Sequence, residues 1–200
     1  MKEMYKGLFG AVALFASSAA MPASAANFIT SVQIKNVYGV AGQGYLQLGE
    51  VQLLGGGVNY ALTGTAFGTS VHGNGPAVAS FANDGNLSGA YPNIYHGGAS
   101  DGSDVFTLTL PGATLVDTLN IFGRTDEGGS FRDIYSYTLF NGNVAVQSGI
   151  LNATGSGFFA TTAVVGVPEP ATWAMMLMGF GALGYALRLR PKVSTRIRFA

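Results

Sequence analysis

The middle of the chain, from residue 26 to residue 167, consists of short apolar and polar alternations separated by Gly, Asn and Asp. Between residues 105 and 110 every second side chain is apolar, which predicts a strand with Phe106, Leu108 and Leu110 facing a core. The other strands predicted in this way cover residues 28–38, 45–54, 115–122, 134–140, 144–151 and 158–167. With no long helical period and no repeat of fixed length, this pattern predicts an all-β sandwich or barrel.

Turn residues add three details to this picture. Asn141-Gly142 lies between two predicted strands and is the pair most typical of a tight β-hairpin. The apolar positions change face around Gly49, which predicts a β-bulge there. Residues 82–103 are polar and rich in glycine, and we expect a long loop of this kind to have a function.

The N-terminus has the features of a secretory signal peptide. Lys2 and Lys6 precede an apolar stretch at 7–20, and the small residues at 23–25 predict cleavage by signal peptidase after Ala25. A core helix or a membrane anchor is the alternative, but the apolar stretch is shorter than the ~20 residues of a membrane span. We therefore expect the protein to be exported.

The C-terminus has a second apolar segment. Residues 171–187 have no charge, and five basic residues follow, which predicts a single transmembrane helix with a cytoplasmic basic end. A buried helix with a basic tail is the alternative. The predicted units are a signal peptide at 1–25, a β-sandwich ectodomain at 26–166 and a C-terminal segment at 167–200.

Charge is distributed unevenly, although ten basic and ten acidic residues balance over the whole chain. Residues 26–170 contain three basic and nine acidic residues, a net charge of −6, while residues 171–200 contain five basic residues and no acidic one. An acidic domain repels phosphates, so we expect no nucleic-acid partner. The absence of cysteine excludes disulfides and makes a zinc site improbable.

The C-terminal segment resembles the PEP-CTERM sorting signal of Gram-negative bacteria that produce exopolysaccharide. The residues responsible are Pro168, Glu169 and Pro170, followed by the Gly-rich apolar stretch and the arginines. The resemblance implies that an exosortase cuts near these prolines. It also implies a membrane-anchored intermediate, followed by delivery to the cell surface or to an extracellular matrix such as that of a biofilm.

The ectodomain resembles the discoidin family, also called coagulation-factor type C, which has a galactose-binding-like jelly-roll fold. The matching segments lie at 46–52, 59–62, 82–86, 104–110 and 121–126. The family often has a tryptophan near residues 103–106, whereas this ectodomain has none. The resemblance implies a jelly-roll β-sandwich over about residues 28–165.

Fucose-binding lectins of this fold hold sugar with one His and two Arg side chains. The resemblance therefore suggests His96, Arg124 and Arg132 as carbohydrate ligands, with Tyr95 stacking on the sugar, although the spacings differ from the lectin pattern. Alternatively, Arg124 forms a structural ion pair with a neighbouring aspartate.

The same lectins place a structural calcium ion where Asp84, Asn86 and Ser88 lie in this sequence. A plain Asp-Gly turn explains these residues equally well. The sequence therefore establishes no cofactor, and structural calcium is a hypothesis.

One weak motif in the sequence points to an enzymatic role. Residues 98–102 fit the pattern Gly-x-Ser-x-Gly around Ser100, but no helical pattern follows and both histidines precede the serine. The sequence therefore favours a non-catalytic module that binds carbohydrate or exopolysaccharide. A purely structural matrix protein and a secreted hydrolase are the alternatives.

Overall fold

The computed structural model describes residues 28–37, 44–126, 132–155, 157–166 and 170–188. The predicted signal peptide with Ala25, and Pro168 and Glu169 of the sorting motif, lie outside these residues. The strands are β1 (Phe28–Asn36), β2 (Gln47–Leu48), β3 (Glu50–Gly55), β4 (Val58–Asn59), β5 (Thr65–Gly68), β6 (Tyr95–His96), β7 (Val105–Leu115), β8 (Thr118–Phe122), β9 (Ile134–Asn141), β10 (Val144–Asn152) and β11 (Phe159–Ala163), and a helix, α1 (Pro170–Arg188), follows them.

Two antiparallel sheets share one hydrophobic core, so the prediction of an all-β domain is confirmed. One of these large sheets has the strand order β10-β9-β1-β7-β5 and the other has the order β11-β8-β3-β4, and β2 and β6 form a third, two-stranded sheet. Phe106, Leu108 and Leu110 of β7 are buried, as their alternation predicts. Both sheets contribute to the core, for example through Val32 of β1 and Leu119 of β8. The two sheets are therefore held together by apolar burial, the main favourable term in folding.

The hairpin between β9 and β10 forms at the predicted place. Asn141 pairs with Val144 across the turn, and Gly142 has a φ of 58°, a conformation that glycine adopts without strain. The expected bulge at Gly49 is instead a break between two sheets. β2 pairs with β6, whereas β3, directly after Gly49, pairs with β8.

The segment at 82–103 is ordered by local contacts, although it contains little regular structure. A 3₁₀ helix, Ala79–Asn83, leads into it, and Asn83 donates hydrogen bonds from Nδ2 to the carbonyl oxygens of Ala61 and Gly64. Ile94 is fully buried, and β6 follows at once. This segment is therefore packed against the sheets.

Most candidate functional residues lie at one end of the two sheets, which we call the loop end. At this end β1, β5, β8 and β10 finish, and β3, β7, β9 and β11 begin. The connections at 69–94 and 97–104, and the described residues 123–126 and 132–133, therefore meet here. Because antiparallel strands return to the same end, residues far apart in sequence come together at the loop end.

The C-terminal helix forms, but the prediction of a transmembrane helix is not met. Among the residues that the structure describes, no helix combines the length and the apolar character needed to cross a membrane. The physical reason is the share of weakly apolar positions in α1, which include Gly179, Gly181, Gly184 and Tyr185. The side chains of residues 174–188 are exposed.

The close approach of three backbone segments at Gly49 gives a testable prediction. A methyl carbon at this position would lie 2.6 Å from the carbonyl oxygen of Gly123 and 3.0 Å from Cα of Gly89. We expect Gly49→Ala to lower the free energy of unfolding by about 1–3 kcal/mol through overpacking. Chemical denaturation of the natural chain and of the variant measures this difference.

Gly112→Ala is the matched control, because a methyl carbon at Gly112 would have no neighbour within 4 Å. It should change the free energy of unfolding by less than about 1 kcal/mol. Equal effects of the two substitutions would contradict the close approach at Gly49.

Candidate functional site

A buried carboxyl group, that of Asp133, lies at the centre of the loop end. Its side chain is 1% exposed. Oδ2 accepts the backbone N–H of Arg124 at 3.1 Å, and Oδ1 lies 3.0 Å from the hydroxyl of Tyr135. That hydroxyl also lies 2.6 Å from the carbonyl oxygen of Gln47. Asp133 therefore connects the segment after β8 with β9, and through Tyr135 with β2.

The hydroxyl of Tyr135 has a single hydrogen to share between these two oxygens. When it donates to the nearer oxygen, that of Gln47, a proton on the Asp133 carboxyl completes the second hydrogen bond. Burial raises the pKa of Asp133 to about 7. Hydrogen bonds that Tyr135 and the N–H of Arg124 can donate to the ionised carboxylate oppose this shift. Burial, together with the charge of Asp133, also raises the pKa of Tyr135 well above its ordinary value.

Arg124 is held by an ion pair at the surface of the loop end. Its Nε donates to Oδ1 of Asp126 at 2.6 Å and its Nη2 donates to Oδ2 at 3.3 Å, which is a two-point contact. The hydrogen bond from Arg124 lowers the pKa of Asp126. The guanidinium carbon lies 5.6 Å from the ring centroid of Tyr91, within the range of a cation–π contact. The structural pairing that the sequence left open is therefore present.

His96 is buried, with 5% of its surface exposed. Because a carbonyl oxygen only accepts, Nδ1 must donate to the oxygen of Gly97 at 2.9 Å. In the neutral ring Nε2 then accepts from Nε2 of Gln47 at 2.8 Å. The ring also packs against Tyr45 and His72, with centroids 5.1 Å and 4.4 Å away. His96 therefore stabilises the loops.

The structure brings the three predicted sugar ligands to the same end of the molecule. His96 contacts Gln47, whose carbonyl oxygen accepts from Tyr135, and Tyr135 contacts Asp133. Asp133 in turn accepts the backbone N–H of Arg124, and the charge of Arg132 acts on its pKa. His96 is buried, and the side chain of Arg124 is only 11% exposed, so a ligand reaches Arg124 only at its edge, beside Asp126, which is 35% exposed.

Tyr95 is a core residue and has no exposed face for stacking on a sugar. It is fully buried, its hydroxyl donates to the carbonyl oxygen of Ser70 at 2.9 Å, and its ring lies 5.6 Å from that of Phe106. Burial raises the pKa of Tyr95 to about 12, with a contribution from Asp104. Tyr91, in the same loop, is by contrast 44% exposed.

The residues considered for calcium form turns. Oδ1 of Asp84 accepts the N–H of Asn86 at 2.8 Å, and Oδ1 of Asn86 accepts the N–H of Ser88 at 3.0 Å. Within the described parts of the chain, no group of three or more His, Cys, Asp or Glu side chains is placed to hold a metal ion. These oxygens cap turns, as the alternative of a plain Asp-Gly turn predicts, and structural calcium stays an untested hypothesis.

Glu50 is a second buried carboxyl group, and no sequence pattern indicated it. Its side chain is fully buried where β3 begins, and Oε1 accepts the N–H of Gly85 at 3.1 Å. Burial raises the pKa of Glu50 to about 7, and the nearby charge of Asp84 adds to this shift. Glu50 therefore ties the turn at 83–88 to the four-stranded sheet.

Asp104 fixes the loops around Ser100, the residue of the Gly-x-Ser-x-Gly match. Its Oδ1 accepts the hydroxyls of Thr69 and Ser70 at 2.8 Å and 2.5 Å, and its Oδ2 accepts the N–H of Ala99 at 2.7 Å. Asp104 is 2% exposed. Its carboxylate is thus committed to loop structure.

Comparison with known proteins identifies one segment of the chain. Residues 166–190 match the PEP-CTERM protein-sorting motif. The chain therefore has a PEP-CTERM sorting signal. No curated protein and no solved structure matches the chain. The PEP-CTERM motif implies an exported protein that an exosortase processes and that is membrane-anchored during sorting.

The two buried carboxyl groups predict how stability depends on pH. Each has a folded-state pKa near 7, above its unfolded value of about 4. Between these values the folded state keeps protons that the unfolded state has released, so stability falls as pH rises from about 4 to 7. Each group lowers the free energy of unfolding by at most about 1.4 kcal/mol for each pH unit in this range. Denaturant unfolding at pH 5 and at pH 8 measures this loss.

Glu50→Gln should make the loss between pH 5 and pH 8 smaller, since it removes one of the two groups. Asp101→Asn is the control, because Asp101 is exposed and its pKa is lowered by its hydrogen bonds with Ser103, so it does not titrate in this window. An unchanged pH dependence in Glu50→Gln would contradict the raised pKa of Glu50.

Proposed function

We propose that this PEP-CTERM protein is a non-catalytic module that binds carbohydrate or exopolysaccharide at the cell surface or in the extracellular matrix. Support for export and sorting comes from the motif at 166–190. Support for the ectodomain's role comes from its two-sheet architecture and from its resemblance to discoidin-type jelly rolls. We interpret the domain as a member of that fold class.

One observation supports sugar binding most directly: the exposed ring of Tyr91 lies beside the ion pair of Arg124 and Asp126. An aromatic face suits the apolar side of a sugar ring. A guanidinium and a carboxylate, placed next to it, provide a donor and an acceptor for neighbouring hydroxyls. Because Asp126 also accepts the N–H of Tyr91 at 3.2 Å, the three groups are held in a fixed arrangement before any ligand arrives.

The buried groups beneath this surface hold the segments that form the proposed site. Asp133 accepts the backbone N–H of Arg124, and Thr125 donates from its hydroxyl to the carbonyl oxygen of Ser88 at 2.6 Å. These contacts hold the segment after β8 against the turn at 83–88. The surface site therefore stands on a rigid base, which reduces the conformational entropy lost on binding.

The binding proposal predicts a specific loss on substitution of Tyr91. On a glycan array probed with the full chain, Tyr91→Ala should weaken binding to the recognised glycan about 3- to 10-fold, as expected for one stacking contact. Phe67→Ala is the matched control, since Phe67 is also exposed, at 63%, but lies on the outer strand β5. Repeating the array with EDTA tests the calcium hypothesis separately: loss of binding in EDTA would support a structural calcium ion, and unchanged binding would contradict it.

Three results would contradict parts of this proposal. Absence of glycan binding would leave a structural matrix role. Equal weakening by Phe67→Ala would exclude Tyr91 as the contact. Hydrolysis of a bound glycan that is lost in Ser100→Ala would identify the protein as a hydrolase.

Sorting makes a separate prediction. Deletion of residues 168–200 removes the prolines of the motif, α1 and the basic residues, so the exported domain should be released into the medium rather than retained. Immunoblots of cell-bound and released fractions measure this. Unchanged retention of the deleted form would contradict a sorting role for this segment.

A further inference from the structure

One side of the domain contains no charge at all. Residues 134–166, which include β9, β10 and β11, have no Asp, Glu, Lys, Arg or His. By contrast, Asp84, Asp101 and Asp126 are among several acidic residues at the loop end. An acidic domain repels a second copy of itself, but this side presents no charge to oppose contact.

The outermost strand on this side is β10, whose only strand neighbour among the described residues is β9. Natural proteins protect long edge strands with charged residues, prolines or bulges, since unpaired backbone groups attract another strand. β10 has no charge and no proline. It has one bulge, between Ala145 and Gln147, after which residues 147–152 pair regularly with β9.

Beside this bulge, Gln147 bonds β10 to the residues that end β11 and follow it. Its Nε2 donates to the hydroxyl of Tyr137 at 2.9 Å and to the carbonyl oxygen of Ala163 at 3.0 Å, and its Oε1 accepts the N–H of Val165 at 2.9 Å. Within the part of the chain that the structure describes, residues 148–152 have no further strand paired along their outer edge. At its centre Ile150 is 66% exposed, although it is strongly apolar.

We propose that residues 148–152 of β10 pair with the same residues of a second copy of this chain, in antiparallel orientation about a two-fold axis at Ile150. The two five-stranded sheets would then form one continuous sheet. Ile150 would lie opposite Ile150 of the other copy, and Ser148 opposite Asn152, so apolar and polar side chains match.

Self-pairing fits this edge better than pairing with an unrelated strand for two reasons. The segment is complementary to itself under a two-fold rotation, which is the usual symmetry of a dimer. Antiparallel pairing also directs the two loop ends, with Asp84, Asp101 and Asp126, away from each other. The acidic ends then point in opposite directions and do not face each other across the contact.

Cysteine substitution tests the proposed register in the full chain. The natural sequence has no cysteine, so a disulfide in a single-cysteine variant joins two copies at the chosen position. Under mild oxidation Ile150→Cys should form a covalent dimer, because directly opposite residues lie within disulfide reach. Val144→Cys is the matched control, equally exposed at 66% on the same strand but before the bulge. It should remain mostly monomeric.

A charge substitution tests the same contact without covalent trapping. Ile150→Lys places like charges opposite each other, so it should reduce the dimer fraction at least 10-fold by sedimentation, while Val144→Lys leaves it unchanged. Ile150 is exposed, so the lysine variant should still fold, which far-UV circular dichroism checks. Equal cross-linking of both cysteine variants, no cross-linking of Ile150→Cys, or a dimer that persists in Ile150→Lys would overturn the proposal. None of these outcomes depends on sugar binding.

Discussion

The burial of Asp133 is the constraint on which the loop end depends. Its carboxyl is placed between the end of β8 and the start of β9, and a side chain at Gly123 would overlap it. Burying a carboxyl group is unfavourable unless hydrogen bonds or a proton compensate, and here Tyr135 and the N–H of Arg124 supply the contacts. Any rearrangement of Arg124 or of Gln47 would leave a buried polar group without a partner, so the connections move together or not at all.

The molecule separates its charges in space. Acidic residues collect at the loop end, where they cap turns and hold loops, as Asp104 and Asp84 do. The strands β9, β10 and β11 have none. The proposed sugar site and the proposed edge contact therefore lie in two different parts of the domain. The same separation explains why the overall net charge of zero says little about how the domain interacts.

Local pattern predicted the long elements and missed the short ones. The alternation in β7 and the Asn-Gly turn before β10 are signals contained within a few neighbouring residues, and both predictions are confirmed. β4 and β6 have two residues each, too few to show a period. The candidate site was predictable only in its residue types: the order of His96, Arg124 and Arg132 resembles a lectin pattern, whereas the position of His96 in β6, its burial and the exposure of Tyr91 depend on contacts between distant segments.

The sequence by itself determined that the domain is β-rich, that it is acidic and free of cysteine, and that it ends in a PEP-CTERM motif, because composition, periodicity and short motifs are local properties. Only the tertiary structure decided that Gly49 separates two sheets and that Glu50 and Asp133 are buried. It also decided that Arg124 is paired with Asp126 beneath the ring of Tyr91. The reason is physical: the cost of burying a polar group, and the partner that offsets it, come from segments that meet only after the sheets have formed.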